Sequence, residues 1–310
     1  MSYEHKSVLV EEVLAYLDPK PNENFIDCTL GGGGHASEIL KRTSPKGILL
    51  GIDLDPKAIQ AARKKVQQYK TRIKLVNNNY NNLKKIIYVA GYNKFNGIIL
   101  DLGLSSFELQ DAKRGFSFKG TAFLDMRFGN TDLTAADIIN SYKEIELIRI
   151  FKEYGEERYA KQIAGEIIKE RKIKQITQTD QLVSIIENVY SNKRKPKKIH
   201  VATKVFQALR IEVNDELNNL RELLPQALSV LDKGGRLVVI SFHSLEDRIV
   251  KQFFKQESKD CLCPPQIPIC QCSHKASLKI LTKKIITPGQ AEIISNPRSR
   301  SAKLRAAQKI

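Results

Sequence analysis

Four consecutive glycines, Gly31 to Gly34, lie between an acid, Asp27, and a histidine, His35. The apolar Phe25-Ile26 leads into Asp27, and Ala36-Ser37-Glu38-Ile39-Leu40 after the glycines reads as a helix start. A strand that turns into a helix through glycines lets a ligand touch bare backbone and the helix N-terminus. A second apolar run, Ile48-Leu49-Leu50-Gly51-Ile52, ends in Asp53, twenty residues past Gly33. An acid at that spacing holds ribose hydroxyls in βαβ nucleoside-binding units. Gly31-x-Gly33-x-x-Ala36 also matches the dinucleotide fingerprint, so the glycines alone leave NAD and S-adenosylmethionine open. Asp27 favours the second, because a carboxylate there repels a pyrophosphate and attracts an amino group and a sulfonium.

A third acid, Asp101, ends the apolar run Gly97-Ile98-Ile99-Leu100 and opens Asp101-Leu102-Gly103-Leu104-Ser105-Ser106. In S-adenosylmethionine enzymes the methyl acceptor meets the cofactor at this place. An exocyclic amine on a base ring is a poor nucleophile, and acceptors beside it localise its lone pair and later take a proton. Asp101, Ser105 and His243, the last in Ser241-Phe242-His243-Ser244, are the candidates for that work. A helix cap is the alternative reading of Ser105, and a satisfied buried histidine that of His243. Four further residues have ligand chemistry: Cys261-x-Cys263 and Cys270-x-Cys272 fall within twelve residues of one another. Clustered thiols outside an oxidising compartment point to metal, although these spacings are tighter than the usual C-x₂₋₄-C of zinc sites.

To position these residues the chain needs parallel strands whose carboxyl ends share one edge. The pattern predicts a short helix over 5–14, strands ending at Asp27 and Asp53, a helix over 57–70, and a strand Ile73–Val76 leading to the Asn77–Tyr80 turn. A strand buried on both faces then ends at Asp101. The α/β rhythm stops there for about a hundred residues that read as helical. Thr134-x-x-Asp137 looks like a capping box, and helices are expected over 144–154, 156–171, 180–190 and 201–211. The rhythm resumes with a helix over 215–231 ended by Lys233-Gly234-Gly235, a very apolar strand 236–243, and final strands over 278–286 and 302–307. The fold class is therefore α/β, with a Rossmann-like sheet and an inserted all-helical domain. The expected domains are a discontinuous sheet domain, 1–108 and 212–310, and an insertion, 109–211.

The chain has 310 residues and a formal net charge of +17, which suggests a polyanionic partner, nucleic acid before an anionic membrane. The basic residues are uneven: Lys193-Arg194-Lys195-Pro196-Lys197-Lys198 forms one run, and residues 278–310 hold eight Lys/Arg against one acid, Glu292. No apolar run approaches the roughly 20 residues of a membrane span, and Met1–Lys6 lacks a signal-peptide core, so a cytoplasmic location is expected.

Asp27-x-Thr29-x-Gly31-x-Gly33-Gly34-His35, Asp101-Leu102-Gly103-x-Ser105-Ser106, Arg114-Gly115-Phe116-Ser117-Phe118 and Leu124-Asp125-Met126-Arg127 occur in that order. Tyr154-Gly155-Glu156-Glu157-Arg158, Phe206-Gln207-Ala208-Leu209-Arg210-Ile211, Ser241 through Arg248 and Asn296-Pro297-Arg298 follow. Together they strongly resemble the RsmH/MraW family of bacterial 16S ribosomal RNA cytosine-N4 methyltransferases. The resemblance implies a methyltransferase fold with a helical insertion for substrate recognition, and methylation of a decoding-centre cytidine on N4. It implies S-adenosylmethionine contacts from Gly33, Gly34, His35, Asp53, Tyr80 and Asp101. The next family contact is commonly a glutamine, and here Glu108 stands in its place, able to accept hydrogen bonds but not to donate as an amide does. The family's usual Asp-Gly-Pro before Leu124 is Thr121-Ala122-Phe123. The implied partner is 16S rRNA within the small ribosomal subunit, with no membrane involved, no metal in the reaction, and a homodimer open as the assembly. Two other classes remain as alternatives: a catalytically idle RNA-binding or ribosome-assembly protein, and an NAD-dependent oxidoreductase.

Overall fold

The computed structural model describes residues 7–103, 114–118, 120–129, 131–196, 199–264, 266 and 269–310. The chain divides into two compact units, one formed by residues 1–105 and 217–310 and the other by 106–216. The sequence pattern suggests 108/109 and 211/212 for these joints. The second lies later because the helix expected to stop at Ile211 continues to Asn214, and Asp215 then takes a left-handed conformation.

The first unit is a seven-stranded sheet. Its strands are β1 (Phe25–Asp27), β2 (Leu49–Asp53), β3 (Ile73–Asn77), β4 (Phe95–Asp101), β5 (Leu231–Ser241), β6 (Leu278–Ile280) and β7 (Lys303–Lys309). They lie in the order β3-β2-β1-β4-β5-β7-β6, parallel except for β7, which runs antiparallel to both β5 and β6. The apolar runs look uniform in sequence, but the pleat sorts them. Ile26, Ile98, Leu100, Leu237 and Val239 face one core, with Leu83, Ile86, Leu220, Leu224, Val250 and Phe254. Phe25, Ile99, Val238 and Ile240 face the other, with Leu14, Ile39, Leu40 and Ala62. The first core is covered by α4 (Leu83–Ala90), α10 (Glu216–Val230) and α11 (Ser244–Glu257). The second is covered by α1 (Val10–Leu17), α2 (Gly34–Arg42) and α3 (Pro56–Lys65).

Several boundaries differ from the sequence reading. The helix expected over 5–14 is α1, three residues longer at its C-terminal end and starting only after Leu9, whose backbone is left-handed. α3 stops at Lys65, short of the expected Lys70, and a 3₁₀ turn takes Gln67–Tyr69; at its start Asp55 accepts from Lys57 N–H at 2.8 Å, with Pro56 at the first position. Lys233-Gly234-Gly235 does not end α10. That helix passes directly into β5 at Leu231, and residues 232–235 form a bulge between the Phe95–Leu231 and Gly97–Arg236 pairs. The strand expected over 278–286 is cut short at Ile280, because Leu281 and Thr282 both donate to the Ala306 carbonyl and disturb the ladder. Pairing resumes only as the Ile286–Leu304 bridge.

The second unit is helical: α5 (Ala135–Ser141), α6 (Glu144–Glu153), α7 (Ala160–Ile173), α8 (Thr179–Tyr190) and α9 (Thr203–Asn214). Thr134 and Asp137 form the complete capping box at the head of α5. The helix expected to begin at Glu156 starts at Ala160 instead. The Glu157 carboxylate causes this by accepting from Tyr159 N–H at 2.8 Å and from the Tyr190 hydroxyl at 2.7 Å, which holds the chain in a turn. Asn214 closes the other end. Its amide donates to the carbonyls of Met126 at 2.7 Å and Arg210 at 2.9 Å, and its carbonyl accepts from Phe128 N–H at 2.7 Å. Asn214→Asp keeps the shape but removes both donors and sets a carboxylate against two carbonyls. We expect a loss of roughly 2–3 kcal/mol from this unit, since each such bond is worth about 1 kcal/mol, measurable by urea denaturation followed through amide exchange in α5–α9.

Candidate active site

The carboxyl ends of β1, β2 and β4 place three acids along one edge of the sheet. Asp53 ends β2, and each of its oxygens accepts a backbone N–H: Oδ2 from Gly31 and Oδ1 from Asp55, both at 2.8 Å. This carboxylate thereby ties the glycine loop after β1 to the turn after β2, and each oxygen retains a lone pair for a further donor. Burial pushes its pKa up to about 6, against the pull of those N–H groups. Gly33 caps α2 with φ +76°, and a Cβ there would sit 3.2 Å from Ala62 Cβ, so only glycine fits both the turn and the packing. Gly34 is the first residue of α2, and a Cβ on it would collide with the Ser7 side chain.

Buried Asp27 and His35 and half-buried Asp101 form a group of titratable side chains beside this loop. Asp27 is 1% exposed; its Oδ1 accepts from Thr29 N–H at 3.1 Å, and its Oδ2 has no partner. His35 Nε2 lies 3.5 Å from Asp101 Oδ2, within reach of charge attraction but not aligned as a hydrogen bond, and Asp101 Oδ1 is also without a partner. Thr29 fixes this strand end from the side, its hydroxyl oxygen accepting from Asp101 N–H at 2.6 Å. Burial pushes the Asp27 carboxyl up to about 7, the nearby His35 opposing and Asp101 and Asp53 adding to the rise. Burial alone would lower His35, but the Asp101 and Asp27 carboxylates outweigh it and raise its pKa. Buried polar atoms without partners cost free energy, and a ligand that supplied donors and positive charge would satisfy them.

The remaining expected residues lie around this edge. Tyr80 opens a 3₁₀ turn after β3 and packs against the core face that holds Ile52 and Leu83. His243 follows β5 as the N-cap of α11, where its Nδ1 accepts from Glu246 N–H and its Nε2 lies 3.2 Å from Glu246 Oε1. The other Glu246 oxygen accepts from Phe242 and His243 N–H groups at 2.8 and 3.2 Å, so the turn after β5 is bound tightly to its own helix. Gly103, at φ +100°, leaves room for the Phe242 ring, which a Cβ would approach to 3.1 Å. Ser105 and Glu108 lie outside the described residues.

Sequence reasoning missed Thr29 as a support for Asp101, and it missed the depth of Asp27. The Asp27-x-Thr29 spacing was the available signal for the first. No local signal existed for the second, since burial depends on the elements that cover the strand end. The Glu three residues after His243 is a capping-box spacing that could have revealed α11.

A mixed α/β sheet with a glycine loop, a ribose-type acid and an acceptor-rich edge defines an α/β protein that holds a nucleoside-bearing ligand at the carboxyl ends of its strands. The chain belongs to the MraW methylase family, whose model matches residues 2–310. It is similar to the ribosomal RNA small subunit methyltransferase H of Clostridioides difficile (strain 630), with 45% identity across 100% of both chains. The protein of that name from Syntrophotalea carbinolica is 48% identical, over 99% of this chain and 98% of that one. The one from Heliobacterium mobile is 48% identical over 100% of each.

Asp27 gives the site a pH signature. Its folded pKa is raised, so its stabilising contribution is complete below about pH 4 and is lost as pH rises through about 7. Asp27→Asn removes this titration. The difference in melting temperature between variant and ligand-free wild type should therefore shift in favour of the variant between pH 5 and pH 8. Calorimetric melts across that range check it, and a difference independent of pH contradicts the assignment.

Proposed function

We propose that this chain transfers a methyl group from S-adenosylmethionine to the N4 amino group of a decoding-centre cytidine in 16S rRNA, acting in the cytoplasm on the small ribosomal subunit. The observation that carries the reading is the Asp27, His35 and Asp101 group, with its unpartnered oxygens, beside the glycine loop that Asp53 holds. When bound, S-adenosylmethionine supplies an electrophilic methyl on a positively charged sulfur. The residues fit it: Asp53 has lone pairs for the ribose hydroxyls, Gly33 and Gly34 let the ligand meet bare backbone, and Asp27 offers negative charge. His35 and Tyr80 complete this set, with Glu108 in the position of the family glutamine.

Asp101 is the catalytic acceptor in this reading. Its free oxygen takes a hydrogen bond from the exocyclic amine, localises the lone pair, and holds or passes on the proton released as the nitrogen is methylated. Ser105, and His243 backed by Glu246, are the other groups assigned to that proton. A cytidine amine must be unstacked to reach a strand end, at a cost of roughly a few kcal/mol. The helical unit and the basic C-terminal segment supply phosphate contacts against this cost. Lys193 in this reading is one such contact; its ammonium lies 5.0 Å from the Tyr159 ring centroid.

Incubation with labelled S-adenosylmethionine and undermodified small subunits, followed by nucleoside mass analysis, should yield N4-methylcytidine. RNA binding without methyl transfer would identify an assembly factor instead, and methyl on another base would overturn the substrate. Asp53→Ala should weaken S-adenosylmethionine binding by roughly 1.5–3 kcal/mol, the loss expected for hydrogen bonds to a charged group, as read by titration calorimetry of the folded variant. Replacing Lys193, Arg194, Lys195, Lys197 and Lys198 with Ser should lower the salt slope of RNA binding by about one unit for each phosphate no longer neutralised. That variant should leave S-adenosylmethionine affinity unchanged.

A further inference from the structure

Between α11 and β6 the chain makes an excursion whose described residues form no core of their own. Its two ends are pinned: Ser277 donates from N–H to the Glu257 carbonyl at 2.8 Å and from its hydroxyl to Glu257 Oε2 at 2.7 Å. Ala276 N–H reaches Asp260 Oδ1 at 3.3 Å, and the His274 ring lies 3.3 Å from the Gln256 carbonyl. Among the described residues from 258 to 277, none is buried, and its large apolar side chains, Leu262 and Ile269, are 39% and 77% exposed. Apolar burial therefore does not hold this segment in one conformation.

Four sulfurs meet in its middle. Cys261 Sγ lies 3.4 Å from Cys270 Sγ and 3.8 Å from Cys272 Sγ, and the last two are 3.6 Å apart. All four sulfurs, that of Cys263 included, lie within 4.8 Å of one another. Four thiolates at about 2.3 Å from one tetrahedral ion sit about 3.8 Å apart, so the spacing is that of a single metal centre. An iron–sulfur cluster interposes sulfide and several irons and needs its thiolates further apart. The backbone is arranged for negative sulfur as well. Leu262 N–H donates to Cys272, Cys263 N–H to Cys261 and Gln271 N–H to Cys263, at 3.3 to 3.4 Å. The two Cys-x-Cys pairs are too tight for the usual zinc spacing, but the four sulfurs of the two pairs come together.

We propose that Cys261, Cys263, Cys270 and Cys272 form a tetrathiolate zinc site that folds the 258–277 excursion. Zinc(II) displaces the four thiol protons without any change of oxidation state and leaves a centre with two net negative charges. Its role is structural: four protein ligands close the coordination sphere, so no position remains for water or substrate. The site is separate from the Asp27–Asp101 edge and independent of the methyl-transfer reading.

The test uses the full-length chain, expressed in zinc-containing medium and purified without chelator under reducing conditions. Elemental analysis should give about one zinc per chain. Replacement of that zinc by cobalt(II) should give the intense thiolate-to-metal absorption and visible bands of a tetrahedral sulfur site. Cys261→Ser/Cys270→Ser should lose the metal and become sensitive to trypsin at Lys259 and Lys275, while the melting temperature of the remaining sheet is retained. Zinc at trace level only with no uptake of added zinc chloride, iron in its place, zinc retained by the double variant, or two disulfides found by mass analysis would each overturn the proposal.

Discussion

The Asp53 carboxylate is the contact on which the ligand edge depends. One oxygen holds Gly31 and the other holds Asp55, so the loop after β1 and the turn after β2 are set by the same side chain. Gly31 brings no side chain to this contact, and the Asp55 side chain is occupied in capping α3. The arrangement is also economical in charge. A buried acid would be costly alone, and the two N–H groups oppose that cost without consuming both lone pairs of either oxygen. The same residue thus keeps the loop in shape and remains able to bind.

The neighbouring acids are in a different condition. Asp27 and Asp101 each keep an oxygen without a partner, in a place from which water is largely excluded. Such a group is stable only because the sheet, held by two extensive apolar faces, over-determines where the strand ends lie. His35 shares the burden by standing near both carboxylates with a raised proton affinity. A cationic, donor-rich ligand would satisfy the oxygens that the protein leaves without partners here.

Much of this was legible in the sequence, for identifiable reasons. The acids at Asp27, Asp53 and Asp101 each terminate an apolar run, and the glycines mark the one turn where backbone must be bare, so strand ends, loop and ligand class follow from local pattern. The family was legible too, since its motifs are spread from Asp27 to Arg298 in order. What escaped was set by distant partners. The start of α7 and the shortness of β6 depend on the Tyr190 hydroxyl and the Ala306 carbonyl, supplied from elsewhere in the chain. The continuous apolar runs of β4 and β5 give no hint of which residue faces which core, because both faces are covered. The depth of Asp27 is likewise a property of the folded chain, absent from any short window.

The discontinuity of the sheet has a consequence for synthesis. Asp101 pairs beside Ile240 although all of residues 106–216 lie between them. During translation β1 to β4 are complete long before their central neighbour exists, and β4 is then an open edge of apolar residues, a template for unwanted pairing. The closure entropy of so long a connection grows only slowly with its length, and an insertion that folds early shortens the effective loop further. The nascent chain therefore cannot cover β4 until β5 emerges, and β7 must then slot in antiparallel between β5 and β6.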